Sequence, residues 1–193
     1  MKYLIGLAIS LTVASTSFAN QISFTFTGTG AGSIDGTVFS NTAFTITALG
    51  DTNSRIAGAP PASYGVDHVS AQIDLNGVGS YSFITSTKTY VNNNIGAVAF
   101  SRKATNEPLY VSSSGFPGLP NWDMLKSIGP INTLFAGANW GSSPVLTSGG
   151  TLVFSDFFSP NGSFTATITP EPCSFSLAVF GAIGFLSVRR HAR

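Results

Sequence analysis

The segment QISFTFT, residues 21–27, decides the fold class of this chain. Its apolar side chains, Ile22, Phe24 and Phe26, alternate with small polar ones. A period of two is typical of a β-strand that buries one face. The same alternation returns in residues 164–168. The pattern therefore predicts an all-β chain built from antiparallel strands.

Two dipeptides indicate tight turns. Asn76-Gly77 lies between two alternating runs, and this dipeptide is the strongest short signal for a β-hairpin. Asp35-Gly36 is a second candidate of the same kind. Residues 95–100 are almost wholly apolar and predict a strand that is buried on both faces. About nine or ten short strands with polar outer faces favour an antiparallel β-sandwich or jelly-roll-like domain.

The composition narrows the classes of function. Only 9% of the 193 residues are charged, against roughly 25% in an average soluble domain. The formal net charge is +1, which excludes an electrostatic nucleic-acid-binding protein because such a protein needs a basic face. The single Cys excludes a disulfide framework and a Cys-based zinc site. We expect no cofactor and no metal site.

The N-terminus has the three zones of a secretory signal peptide. Lys2 is the basic start, residues 4–13 form a short and mostly apolar run, and small residues lead to Ala19. We therefore expect signal peptidase to remove residues 1–19 by cutting between Ala19 and Asn20.

The C-terminus joins a proline-containing tripeptide to an apolar segment. Pro170, Glu171 and Pro172 precede the apolar residues 175–188. As a helix this segment would extend about 21 Å, which is short of a hydrocarbon core of about 30 Å. Apolar side chains would nevertheless surround the helix on all sides. We therefore expect a single short transmembrane helix instead of an amphipathic core helix.

Basic residues end the chain. Arg189, Arg190 and Arg193 follow the apolar segment and would stop it on the cytoplasmic side of the membrane. The tripeptide, the apolar segment and the Arg-rich end, in this order at the C-terminus, resemble the PEP-CTERM sorting signal of Gram-negative bacteria. The resemblance covers residues 170–193.

The resemblance implies a route for the protein. In the PEP-CTERM family the signal is recognised by an exosortase, a membrane-embedded cysteine transpeptidase-like enzyme. It implies export through the inner membrane, where the protein resides transiently, and cleavage near the Pro-Glu-Pro sequence. The remaining residues, 20–169, would form one β-sandwich domain at the cell surface or in the extracellular matrix. They carry five cations and seven anions, so their net charge is −2.

The leading hypothesis is an exported, non-enzymatic protein of the cell surface or of an exopolysaccharide or biofilm matrix. Its partners would be signal peptidase, the exosortase-type protease and extracellular polysaccharide. An alternative is a carbohydrate-binding module that stacks sugars on Trp122 and Trp140, with Tyr64, Tyr90 and Tyr110 as further platforms. Large aromatic side chains are usually buried, however, and the competing interpretation is that both indoles fill the edge of the domain core.

A second alternative is a secreted hydrolase. His68 is the only His of residues 20–169, and acid–base catalysis commonly recruits His or a tuned carboxylate. The alternation of residues 68–75 places Val69 toward the core and His68 on the polar face, so we expect a surface His. The carboxylates that could form a glycosidase pair fall in no motif; they are Asp67, Asp74, Glu107, Asp123 and Asp156.

Overall fold

The computed structural model describes residues 21–58, 63–155 and 157–169. These residues are all β, apart from loops and two single-turn 3₁₀ segments, Thr52–Ser54 and Leu119–Asn121. The strands are β1 Gln21–Ile34, β2 Thr37–Asp51, β3 Ile56–Ala57, β4 Ser63–Leu75, β5 Gly79–Ser82, β6 Thr87–Asn92, β7 Ala97–Arg102, β8 Pro108–Ser112, β9 Ile128–Gly137, β10 Val145–Thr147, β11 Gly150–Phe154 and β12 Phe157–Thr169.

Eight of these strands close into an antiparallel barrel. Going round the barrel, the order is β1, β12, β9, β8, β7, β6, β4 and β2, and β2 pairs again with β1. The pairs Gln21↔Thr169 and Gln21↔Asp51 show that β1 is hydrogen-bonded on both edges. The prediction of an all-β antiparallel fold is confirmed. The prediction of a sandwich or jelly roll is wrong, because closure makes one continuous sheet instead of two facing sheets.

Short strands extend the barrel at one side. The register of β1 shifts between Gly30 and Gly32, and beyond this β-bulge β1 pairs with β11 instead of β12. Strand β10 pairs with the other edge of β11, and β5 pairs with the last part of β4. A bridge between Phe83 and Thr147 joins the two extensions.

Aromatic rings fill the barrel. Ile22, Phe24 and Phe26 are all fully buried, as their alternation predicts. The ring of Phe26 lies 4.8 Å from that of Phe164 and meets Phe135 edge to face at 6.3 Å. Edge-to-face and offset arrangements suit the ring quadrupole, so these contacts add to the hydrophobic stabilisation.

Both predicted turns are present. Asp35 and Gly36 have φ angles of 46° and 80° and connect β1 to β2 as a two-residue hairpin turn. Positive φ at both positions is the geometry of a type I′ turn, whose twist matches that of the flanking strands. Asn76-Gly77 begins the three-residue loop between Leu75 of β4 and Gly79 of β5. Strand β7 is buried along its whole length, which confirms the prediction of a buried strand for residues 97–100; Ile95 of the same apolar run precedes the strand and is exposed.

The predicted terminal signals lie outside the described residues. In the three ranges that the structure describes, no helix has the length and apolar character needed to cross a membrane. The predictions that rest on residues outside these ranges concern Ala19, Asn20, Pro170, Glu171, Pro172, Arg189, Arg190 and Arg193.

Candidate functional site

The two tryptophans belong to the core. Trp140 is 1% exposed and packs against Phe154 with 4.8 Å between ring centroids. Trp122 is 4% exposed, meets Phe164 edge to face, and donates its indole N–H to the carbonyl of Lys126 at 2.7 Å. Neither indole offers a free face to a sugar, so the prediction of a platform at Trp122 and Trp140 is wrong. Their large apolar area is buried in the hydrophobic core instead.

A β-bulge reverses the predicted orientation of His68. Leu49 pairs with Ser70 and the next residue, Gly50, pairs with His68, so Val69 is an extra residue in β4. Val69 is 80% exposed, and the ring of His68 stacks on that of Phe100, whose side chain is fully buried. The prediction of an inward Val69 and a surface His68 is therefore wrong. An extra residue shifts the alternation by one, which exchanges the two faces of the strand.

The environment of His68 keeps its imidazole neutral. Nδ1 is 2.8 Å from Oγ1 of Thr87, and Nε2 is 2.9 Å from Oγ1 of Thr89. Burial lowers the pKa of His68 from 6.5 to about 3, against a smaller opposing effect of the nearby Asp67 carboxylate. Both ring nitrogens are thus occupied by threonine hydroxyls, and no carboxylate orients the ring as in a Ser-His-Asp arrangement.

Four of the carboxylates considered for a glycosidase pair lie in the described ranges. Each of them contacts a cation or a hydrogen-bond donor. Asp67 forms an ion pair with Lys103, and Asp74 accepts a hydrogen bond from Ser80. Glu107 and Asp123 lie 3.7 and 3.8 Å from the guanidinium groups of Arg102 and Arg55. Within the described ranges, no three His, Cys, Asp or Glu side chains gather as a metal would require. These contacts bring no two of the four described carboxylates together, and Asp156 lies outside the described residues.

A groove of about 750 Å³ lies on the outer face of β4 and β6. Three residues that line it are cross-strand partners: Ile56 of β3, Gly65 of β4 and Tyr90 of β6. Directly opposite residues of antiparallel strands lie on the same face, so Ile56, Gly65 and Tyr90 form one row across the sheet. The polar side chains that line the groove are Asp67, Lys88, Asn92, Asn94, Lys103 and Asn106.

Tyr90 is the aromatic side chain of this groove. Its cross-strand neighbours are Gly65 and Ala99, which carry no side chain and a single methyl group. A Cβ placed on Gly65 would meet only one neighbouring atom, the carbonyl oxygen of Thr89 at 3.8 Å. Space is therefore free on the Gly65 side of Tyr90, whereas Ala99 on the other side is buried and does not line the groove.

Two lysines and one aspartate give the groove its charge. Nζ of Lys103 is 2.9 Å from a carboxylate oxygen of Asp67, which pairs these two charges. Lys88 donates a hydrogen bond to the amide oxygen of Asn106, and its Nζ lies 5.9 Å from the centroid of the Tyr90 ring. Lys88 takes part in no ion pair among the described residues. The groove thus combines a half-buried tyrosine ring, an ammonium group without an ion-pair partner among the described residues, and several side-chain amides.

Sequence reasoning considered Tyr90 as a platform but missed the groove around it. The segment TKTYVN, residues 87–92, alternates small or apolar residues with the long polar side chains of Lys88, Tyr90 and Asn92. This alternation could have placed the three on one outer face. Their small neighbours on β4 and β7 become apparent only with the strand pairing.

Comparison with known proteins places the chain in no established group. No protein-family model, no curated protein and no solved structure matches it. The function is therefore argued from the residues and their geometry.

Proposed function

We propose that this chain is an exported, non-enzymatic protein of the cell surface or exopolysaccharide matrix, sorted by an exosortase-type transpeptidase. The proposal is supported by the bounds of the barrel, which fall next to the two predicted cleavage sites. Strand β1 begins at Gln21, next to the expected signal-peptidase site, and β12 ends at Thr169, next to the Pro-Glu-Pro sequence. Cleavage at either place would leave every strand of the barrel intact.

The pairing of the first and last strands supports the same division. Gln21 is the register partner of Thr169, and the antiparallel pairing continues through Thr27↔Ser163. The first and last residues of the described chain, Gln21 and Thr169, therefore lie side by side in the sheet. A domain built in this way can be exported by one terminus, held at the membrane by the other, and released without loss of structure.

The chemistry of the barrel interior supports a role without catalysis. His68 is held by two threonine hydroxyls, and its pKa of about 3 is far below the neutral range in which general acid–base catalysts commonly operate. The rings around it, Phe24 and Phe100, are fully buried. The polar surface of the groove, in contrast, suits recognition of a ligand without a reaction.

Replacement of the tripeptide tests the sorting proposal. In an exosortase-containing host, we expect the wild-type protein in the surface or medium fraction, and the Pro170→Ala, Glu171→Ala, Pro172→Ala triple variant in the inner membrane. The Pro160→Ala variant is a matched control because Pro160 lies exposed on β12. If the triple variant is distributed like the wild type, the sorting proposal is wrong.

The groove favours carbohydrate binding as a second function. A half-buried aromatic ring beside the free space at Gly65, flanked by amides and an ammonium group, offers both stacking and hydrogen bonds to a sugar. We expect retention of the wild-type protein on immobilised matrix polysaccharide and its loss in the Tyr90→Ala variant. The control is Phe158→Ala, since Phe158 is 74% exposed on β12 and does not line the groove. Equal retention of the wild type and Tyr90→Ala would exclude the groove as the binding site.

A further inference from the structure

We infer that the groove around Tyr90 recognises an acidic polysaccharide, through contact of a sugar carboxylate with Lys88 and stacking of a pyranose ring on Tyr90. This inference rests on the carbohydrate-binding function proposed above and specifies the ligand class. It follows from three features of the groove: the free space beside Tyr90, its charge and its amide lining.

The first feature is a surface that a ring-shaped ligand can approach. Along β6, the distance from Lys88 to Asn92 is about 13 Å at the usual strand rise, with Tyr90 midway. On the β4 side of Tyr90, Gly65 projects no side chain above the sheet, whereas Ala99 on the β7 side is buried. A sugar ring can therefore lie against Tyr90 in the space above Gly65, while its substituents reach the residues before and after Tyr90 on β6.

The second feature is a local charge opposite to that of the domain. Lys103 and Asp67 pair with each other at 2.9 Å, so the charge that remains in the groove is that of Lys88. Residues 20–169 have a net charge of −2. A lone ammonium group beside an aromatic ring, hydrogen-bonded to the neutral Asn106, is a site for one carboxylate. A neutral glycan has no carboxylate to form an ion pair with this ammonium group.

The third feature is the amide lining of the groove, which suits a glycan better than a denser polyanion. Double-stranded DNA carries one negative charge per about 1.7 Å and binds through many phosphate contacts. The groove has only one unpaired cation among its described residues, and the acidic domain would repel a chain of closely spaced charges. The side chains of Asn92 and Asn94, which also line the groove, offer donors and acceptors that suit sugar hydroxyls.

Two polymers with the same backbone test the inference. Polygalacturonate carries one carboxylate per sugar, whereas its fully methyl-esterified form carries none. We expect the full chain to bind polygalacturonate more tightly than the ester, and less tightly as the salt concentration rises. The Lys88→Gln variant should bind polygalacturonate about tenfold more weakly, because it loses a charge-assisted hydrogen bond, and should bind the ester like the wild type.

Matched variants separate the charge from the fold. Lys126→Gln removes an exposed cation that lies outside the groove and should leave both affinities unchanged. Gly65→Leu places a side chain in open space beside Tyr90 and should weaken binding of both polymers. For each variant, an unchanged thermal unfolding midpoint shows that the barrel is intact.

Each outcome decides between the two proposals. Equal affinity of the wild type for both polymers, with no effect of Lys88→Gln, overturns the acidic preference and leaves carbohydrate binding in place. Binding that is lost in Lys126→Gln as much as in Lys88→Gln also overturns it, since it indicates a general charge effect. Binding of neither polymer overturns both the acidic preference and the carbohydrate-binding function.

Discussion

Lowering the pH should destabilise the barrel through His68. The pKa of His68 is about 3 in the folded protein because of burial, and about 6.5 in an unfolded chain. Between these values the unfolded state binds a proton that the folded state does not, so the free energy of unfolding falls as the pH falls. The contribution of His68 is complete above pH 6.5 and is lost as the pH falls toward 3.

The expected loss is large enough to measure. A difference of one proton bound corresponds to about 1.4 kcal/mol per pH unit. Between pH 7 and pH 4 the loss from His68 alone is about 3 kcal/mol. This is a substantial part of a total stability of about 5–15 kcal/mol, which is typical of natural domains.

The His68→Gln variant isolates this effect. Gln carries a donor and an acceptor for the hydroxyls of Thr87 and Thr89 but does not titrate. Urea unfolding at pH 7, 6, 5 and 4 gives the free energy of unfolding of each protein. We expect the wild type to lose about 3 kcal/mol more than the variant over this range. If both proteins lose the same free energy, His68 does not remain neutral inside the barrel and the reasoning is refuted.

Three further substitutions test the packing. Trp140→Ala should lower the free energy of unfolding by about 3–5 kcal/mol, because Trp140 is 1% exposed; a loss below 1 kcal/mol in urea unfolding would show that the indole is not in the core. Tyr110→Phe removes the hydroxyl that donates to the carbonyl of Thr27 at 2.9 Å and should cost about 1–3 kcal/mol, so an unchanged urea midpoint would argue against that hydrogen bond. Gly36→Val should lower the thermal midpoint, because Gly36 has a φ of 80° in the hairpin turn and a β-branched residue is strained there. An unchanged midpoint would contradict the assigned turn.

The sequence predicted local features of the fold well. The spacing of Ile22, Phe24 and Phe26 alone predicts a strand with one buried face. All three side chains are buried in the structure. Asp35-Gly36 determines a turn because few residue types accept positive φ at two successive positions. Such signals depend only on neighbouring residues, which is why they can be read without the structure.

Closure of the barrel depends on information that the alternation does not contain. Period two specifies which face of a strand is buried but not which strand lies beside it. The barrel requires Gln21 to pair with Thr169, at the opposite end of the domain sequence. A strand pattern with polar outer faces is equally compatible with a sandwich, so the two architectures could not be separated.

The errors at His68 and at the tryptophans have separate physical causes. Val69 is apolar and was expected inside, but one extra residue in β4 turns it outward and brings His68 in. The indoles of Trp122 and Trp140 suit either a sugar platform or a core, and only their burial decides between the two. The groove at Tyr90 could not be predicted without the strand pairing that places Gly65 beside it.

The most direct test of the central proposal is the intact mass of the protein recovered from the surface or medium of cells that export it naturally. We expect a chain that begins at Asn20 and ends near Pro170, Glu171 and Pro172, together with the mass of any group that the transpeptidase attaches. Recovery of the complete chain of 20.0 kDa, with residues 1–19 and 170–193 still present, would contradict it.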